Sequence, residues 1–257
     1  MHQLSSRLVI DCLEHARLKV SNPVIATDAD GTLWSGDVGD ECFEELLRTR
    51  SVRASALATL RAEALAHGVQ ADGDANTVAL SILEAYRREA FPQDKVYELM
   101  AVAFAGYATG EVQAFAREVQ RQTNLRGRLQ QEMLEVLAWA WSSNVPVIVV
   151  SASPTLVVET ALEAAGIRWE RVIAATPTVV DGIVQGHLAE PMPYGEGKAA
   201  ALARVAPNVN VIGAFGDSTF DMAMMRLAKV AAAVRPKPSL RQRAAEVPGL
   251  VELLSAS

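Results

Sequence analysis

Residues 24–33 read Val24-Ile25-Ala26-Thr27-Asp28-Ala29-Asp30-Gly31-Thr32-Leu33, an apolar run that stops abruptly at two carboxylates, a glycine and a threonine. After Pro23, the run Val24 to Ala26 has the length and apolarity of a buried strand in a parallel sheet, and open α/β sheets place ligands outside the carboxyl ends of such strands. Asp28 and Asp30 lie on either side of Ala29, so in extended backbone they point the same way and Ala29 points opposite. One strand end therefore offers a nucleophile and an acid/base. Asp-Gly is also ordinary turn chemistry, and an acidic turn after a core strand is the lesser reading of the stretch in isolation.

Working outward, residues Leu4 to Val20 place Leu8, Val9, Cys12, Leu13 and Ala16 at helical spacing, which predicts a helix packed on the sheet before the strand. Beyond Trp34 and the acidic patch Ser35-Gly-Asp37-Val-Gly-Asp40-Glu41, the chain from Cys42 to about Arg128 is rich in Ala and Leu with helical periodicity. Val96, Leu99, Met100, Ala103 and Phe104 form one helical face, and Val112, Phe115 and Val119 another, entered through Thr109 as N-cap. The loop 71–76 separates two of these helices.

From Gln131 the pattern alternates between helix and strand. Helix Met133–Trp141 leads to strand Pro146–Val150, then Ser151-Ala-Ser153-Pro154 and a helix Thr155–Ala165 with Gly166 as C-cap. Val172–Ala175 is a further strand, and Val179-Val-Asp181-Gly182-Ile-Val184 predicts a hairpin with a type I′ turn. A helical segment begins near Lys198 after the loop Tyr194-Gly-Glu-Gly197. Val209–Phe215 is a strand ending in Gly216-Asp217-Ser218-Thr219-Phe220-Asp221, with a helix Asp221–Leu227 behind it, and Val230–Val234 is one more strand. The reading is a doubly wound, Rossmann-like α/β core with a parallel sheet, formed by residues 1–34 and 129–257 and interrupted after the first of these strands by a helical cap domain, residues 35–128.

Asp28-Ala-Asp30-Gly-Thr-Leu33 has the form D-x-D-G-T-L and resembles the first signature of the haloacid dehalogenase (HAD) superfamily of phosphatases. Ser151 resembles its second signature, Lys198 its third, and Gly-Asp217-Ser-Thr-Phe-Asp221 its fourth, in the family's order and along essentially the whole chain. The resemblance implies a phosphomonoesterase with Asp28 as nucleophile and Asp30 as acid/base, acting through an aspartyl-phosphate. An anionic ester resists attack by an anion unless a cation screens the approach, and a hard, octahedral Mg²⁺ suits oxygen ligands. Asp28, the Asp30 carbonyl and Asp217 are its implied ligands, with Asp221 orienting Lys198 or metal-bound water. Ser151, with Ala152 beside it, and Lys198 would take the phosphate, helped by the N-terminus of a helix in which Pro154 holds an early position. Thr32 would bond within the nucleophile loop. In isolation Ser151 and Ser153 also read as plain helix caps.

The helical insert and the Ser-Ala-Ser-Pro sequence resemble the phosphoserine phosphatase-like branch, which implies a small, amine-bearing substrate such as phosphoserine or a phosphocholine-like compound. Asp37 would then read an ammonium or, equally, cap the helix near Cys42. Trp34 would form a pocket wall, even a cation–π face, or pack at a hinge. The chain departs from phosphoserine phosphatases at Ala152-Ser153, where they usually show paired glycines, and at Phe220, where they usually have asparagine. A haloacid dehalogenase is the alternative of another class, but halide leaves unprotonated and needs no Asp30. A non-catalytic phospholigand-binding module would be favoured by loss of a signature residue, and none is lost.

Composition sets bounds. The 257 residues, half of them hydrophobic, suffice for a full core, and the net charge of −6 with no Lys/Arg block speaks against a nucleic-acid partner. Cys12 and Cys42, far apart in helical segments, read as two reduced, buried thiols. The first twenty residues lack the apolar core of a signal peptide and no run reaches membrane-spanning length, so the expectation is a cytoplasmic monomer or homodimer without a membrane partner.

Overall fold

The computed structural model describes residues 1–255. Its framework is a seven-stranded, all-parallel sheet made of β1 (His2–Ser5), β2 (Pro23–Thr27), β3 (Val147–Pro154), β4 (Arg171–Ala175), β7 (Asn210–Gly216), β8 (Val230–Val234) and β9 (Val251–Leu254), in the order β1-β9-β8-β7-β2-β3-β4. The remaining strands, β5 (Pro177–Val180) and β6 (Ile183–Leu188), form an antiparallel hairpin of their own.

Side-chain alternation sorts the strand residues onto two faces. Ile25, Val147, Val149, Phe215, Ala232 and Val234 enter one apolar cluster, while Val24, Ala26, Ile148, Val150, Ala214, Ala231 and Ala233 enter the other. Both faces are thus covered, which is why these strands read as continuous apolar runs. On the second face lie α9 (Glu196–Val205), α10 (Met222–Met225) and α11 (Pro238–Gln242). On the first lie α1 (Ser6–Arg17), α7 (Gln131–Ser142) and α8 (Thr155–Ala165). The same cluster continues into a helical layer of α2 (Val38–Arg48), α3 (Leu57–Ala66), α4 (Ala75–Arg87), α5 (Gln93–Val102) and α6 (Thr109–Gln122).

The hairpin holds this layer in place. Gly106 N donates to Val184 O (2.8 Å), Val184 N to Tyr107 O (2.9 Å) and Thr109 N to Gly182 O (2.9 Å), so the link between α5 and α6 is stitched to the hairpin by backbone. The turn is of the expected kind, with Asp181 and Gly182 both at positive φ (49° and 77°).

Several expectations are corrected. Leu4 lies in β1, which with β9 forms a sheet edge that sequence periodicity missed, because both strands are only four residues long. Leu8 and Cys12 face solvent, since the buried stripe of α1 runs through Ser6, Val9 and Leu13; of the two thiols only Cys42 is buried. Thr109 is the first residue of α6, not its cap. Strand β3 continues through Ser151 to Pro154, and Pro154 is the N-cap of α8. The helix after β7 is shorter than Asp221–Leu227, with Thr219–Asp221 in a 3₁₀ turn ahead of α10. Among the described residues, no helix is long and apolar enough to cross a membrane.

Candidate active site

Strand β2 has β3 on one side and β7 on the other, and the chain builds outward from it in both directions. This is a topological switch point, where an open α/β sheet leaves a crevice at its carboxyl edge. Asp28 is the first residue beyond β2 and is still held by the sheet, its N–H donating to Phe215 O of β7 (2.9 Å). Ser151 lies on β3 and Asp217 directly after β7.

Asp28 is buried, with both carboxylate oxygens engaged. Lys198 Nζ donates to Oδ1 (2.6 Å) and Thr32 Oγ1 to Oδ2 (3.0 Å). Lys198, in the first turn of α9, also donates to Asp221 Oδ1 (2.6 Å). Asp221 Oδ2 accepts from the N–H groups of Asp217 (3.1 Å) and Ser218 (3.0 Å) and from the Ser218 hydroxyl (2.9 Å). Asp221 therefore shapes the loop after β7 and aims Lys198 at Asp28. Carboxylate oxygens of Asp28, Asp217 and Asp221 all lie within 4.8 Å of one another. Lys237, in the loop after β8, reaches over from the other side to Asp217 Oδ2 (3.0 Å).

Burial raises Asp28 more than the Lys198 ammonium lowers it, and the charges of Asp221 and Asp217 add to the rise. Burial also raises Asp217. For Lys198 the balance is reversed: burial disfavours the ammonium, but Asp221 and Asp28 outweigh it and keep the group protonated. Three clustered carboxylates thus share two ammonium groups, and an all-oxygen donor set with surplus negative charge suits a hard divalent cation.

Asp30 points into the same crevice. Its Oδ1 accepts from Trp34 Nε1 (2.8 Å) and from Val38 N at the start of α2 (2.8 Å), and its Oδ2 accepts from the Ser153 hydroxyl (2.7 Å). Burial, then the Asp37 charge, pushes Asp30 up to about 7 against these three donors. Asp37 caps α2 by accepting from Asp40 N (2.9 Å), and it also lines the crevice. Burial pushes it up to about 7 as well, with Asp40 adding.

The crevice is a narrow space of about 60 Å³ bounded by Asp28, Asp30, Asp37, Ser151, Ala152 and Lys198 together with Gln93, Tyr97, Ser153, Tyr194, Ser218, Phe220 and Lys237. That is well below the volume of a drug-sized ligand site. Ser151 is buried and its Oγ accepts from Ser153 N (3.0 Å), which leaves its own proton for an acceptor in the crevice. Because α8 starts only at Thr155, Ser151 is a strand residue and Ser153 caps nothing; its hydroxyl serves Asp30. Trp34 is fully buried and does not border the crevice, so the pocket wall expected of it is absent. Its indole orients Asp30 instead. Thr32, likewise buried, acts through Asp28.

The aromatic wall is built elsewhere. Tyr194 stacks on Phe220 (ring centroids 4.5 Å apart, 34° between planes) and sits 5.9 Å from Tyr97 of α5. Tyr97 lies on the helix whose neighbours Val96 and Leu99 read as core, and Tyr194 on a loop read only for its glycines; neither carried a sequence signal. Phe220 did, as a departure from a signature.

A family model described as haloacid dehalogenase-like hydrolase matches residues 25–226. The chain belongs to this family. Solved structures agree at the level of the fold. The HAD-like chain is similar to a protein of unknown function from Bordetella pertussis Tohama I, at 20% identity and a TM-score of 0.69, covering 91% of this chain and 99% of that one. It is also similar to a HAD family hydrolase from Salmonella enterica serovar Typhi (14% identity, TM-score 0.58, 91% and 73% covered). A phosphoserine phosphatase in apo form matches at 15% identity and a TM-score of 0.55, with 91% and 94% covered. No curated protein matches the sequence.

Proposed function

We propose that this HAD-like hydrolase is a Mg²⁺-dependent phosphomonoesterase for a small phosphorylated metabolite, with residues 35–128 acting as a cap over a core of residues 1–34 and 129–257. One observation supports this above others. Asp28 and Asp30 share one crevice and burial raises both carboxyls, but Asp28 has the Lys198 ammonium on it, whereas among the described residues no Lys or Arg pairs with Asp30. A cation held at Asp28 would favour its ionised form, and Asp30, without one, is left to carry the proton.

Asp28, the Asp30 backbone carbonyl and Asp217 would hold the metal, whose charge screens the repulsion between the Asp28 carboxylate and the phosphate. Asp221 takes four donors, three of them from its own loop on Oδ2, so its part is to hold Lys198 and the loop. Lys198 and the Ser151 hydroxyl grip phosphate oxygens, and Thr32 keeps the Asp28 carboxylate turned toward phosphorus. Asp28 forms the new P–O bond as the ester P–O bond breaks, and the departing alkoxide takes the proton of Asp30. Asp30, now a carboxylate, takes a proton from water, the hydroxide forms a bond to phosphorus, and the aspartyl P–O bond breaks to return Asp28 and inorganic phosphate.

A dehalogenase reading has no use for the proton on Asp30 or for the three donors that orient it. The phosphatase reading is tested by phosphate release from a panel of small phosphomonoesters, with and without Mg²⁺, for wild type and Asp28→Asn. Magnesium-dependent release that the substitution abolishes is expected. Release that survives Asp28→Asn would remove the nucleophile from the scheme.

A further inference from the structure

The loop after β8 reads Arg235-Pro236-Lys237-Pro238, and its backbone is held at several points. Arg235 adopts φ +42°, although a residue before proline favours extended backbone at negative φ, and such strain persists only where the surroundings fix it. They do so here. The Arg235 guanidinium donates to both carboxylate oxygens of Glu132 in α7 (2.8 and 3.4 Å), a side chain only 4% exposed, and Arg241 Nε of α11 donates to Pro236 O (3.3 Å). Lys237 N donates to Asp217 O (2.8 Å), and Pro238 is the first residue of α11. The Lys237 backbone is therefore anchored beside the loop after β7.

Its side chain is not. It is 60% exposed, against 4% for Lys198, and it makes one ion pair, with Asp217 Oδ2 at 3.0 Å. That oxygen also lies against the nucleophile loop, since a Cβ on Gly31 would come within 2.1 Å of it. It is thus the Asp217 oxygen turned toward the loop that carries Asp28 and Asp30, the other proposed metal ligands. An ammonium and a divalent cation close to one carboxylate oxygen repel each other strongly. Lys198 cannot give way, being buried between Asp28 and Asp221. Lys237 can, because its ammonium rides on a flexible four-carbon stem, and it borders the crevice into which a phosphate would bring negative charge.

We propose, resting on the phosphatase reading, that Lys237 is a partner-exchanging cation: it competes with Mg²⁺ for Asp217 Oδ2 and, once displaced, pairs with the phosphoryl group. Metal and phosphate are thereby coupled through one side chain. Without phosphate the displaced ammonium returns to water; with phosphate it finds an anion, so phosphate tightens metal binding by more than its own contact with the metal.

Calorimetric titration of Mg²⁺ into the metal-free chain, alone and with saturating inorganic phosphate, reads this without turnover. Lys237→Met keeps the stem and the backbone bond to Asp217. It is expected to bind Mg²⁺ alone about fivefold or more tightly than wild type, since the lost ion pair and the lost repulsion act in the same direction. The same variant should lose most of the extra tightening that phosphate gives wild type. Lys237→Arg, which keeps the charge, should stay nearer to wild type in both respects.

Equal or weaker Mg²⁺ binding by Lys237→Met, beside Mg²⁺-dependent phosphate release by wild type, overturns the inference and leaves the phosphatase reading standing; weaker binding would make Lys237 a support that holds Asp217 in place. Tighter Mg²⁺ binding with an undiminished phosphate effect supports the competition and overturns the exchange. Failure of wild type to bind Mg²⁺, with no metal-dependent release from any ester, overturns the phosphatase reading and the inference together.

Discussion

Lys198→Met removes one ammonium from between two buried carboxylates and is the most informative single perturbation of this site. The Lys198 side chain is 4% exposed and those of Asp28 and Asp221 are 8% and 0% exposed, with both N–O distances at 2.6 Å. Breaking a buried ion pair by deleting one partner typically costs about 3–5 kcal/mol, because the other charge is stranded. Here two are stranded together. Their oxygens lie within 4.8 Å, where like unit charges repel by about 3.5 kcal/mol at an effective dielectric constant of 20. The loss should therefore reach or exceed the upper part of that range, about 4–5 kcal/mol by urea denaturation at pH 8 without added metal.

The sign of its pH dependence follows from linkage. Asp28 already titrates higher in the folded chain than in the unfolded one, and losing the ammonium raises it further. Its penalty is full above the folded pKa and absent below the unfolded one near 4, so the deficit must shrink as the pH falls from 8 toward 5. The double variant Lys198→Met/Asp28→Asn removes one of the two stranded charges and should recover more than half of the deficit at pH 8. A deficit that is the same at both pH values, or one under about 1 kcal/mol, would refute the argument, since it would place these groups in water-like surroundings.

Three further outcomes are expected. Gly31 sits at φ +84°, and a Cβ there would lie 2.1 Å from Asp217 Oδ2, so Gly31→Ala should cost about 100-fold in kcat by misplacing Asp217 while lowering stability by only about 1–3 kcal/mol; near-normal kcat would show that Asp217 has room to move. Asp30 must carry a proton to act as the acid, so activity should fall as the pH rises through about 7, and Ser153→Ala, which deletes a donor to the ionised form, should shift that alkaline limb to higher pH. A limb that stays put or moves down would separate Asp30 from the step. Glu252 on β9 accepts from Arg241 of α11 at 2.7 and 2.5 Å and from Gln3 of β1 at 3.2 Å, and the Arg241 hydrogen bonds hold its carboxyl below the ordinary value. That contribution is present above the unfolded pKa near 4.3 and lost as the pH falls through the folded one, so Glu252→Gln should cost about 1–2 kcal/mol at pH 7 and progressively less below pH 4, read by urea denaturation.

The sequence by itself determined the buried parallel strands, the helical layer between β2 and β3, and the positions of Asp28, Asp30, Ser151, Lys198, Asp217 and Asp221. Those features are written locally: a continuous apolar run needs burial on both sides, and a carboxylate after such a run must emerge at the strand's carboxyl edge. The contact of Asp221 with Lys198 is one of the two roles the motif resemblance implied for Asp221, whereas the reach of Lys198 to Asp28 is seen only in the structure. Only the tertiary structure decided which side chains face one another across the crevice. Trp34 follows the nucleophile loop directly in sequence, yet it turns inward to hold Asp30, while Tyr97, Tyr194 and Phe220, on three segments spread over more than 120 residues, form the wall expected of it. Ser153 looked like a helix cap and became a hydrogen-bond donor to Asp30 because β3 runs four residues further than its apolar stretch. The edge strand β1 and its neighbour β9 were likewise invisible, since four residues carry too little alternation and they are fixed by pairing, β1 with β9 and β9 with β8 as well. The physical reason is common to these cases: periodicity reports the burial a segment needs, but a contact between distant segments is set by how the crossovers stack on the sheet, and no local pattern encodes that.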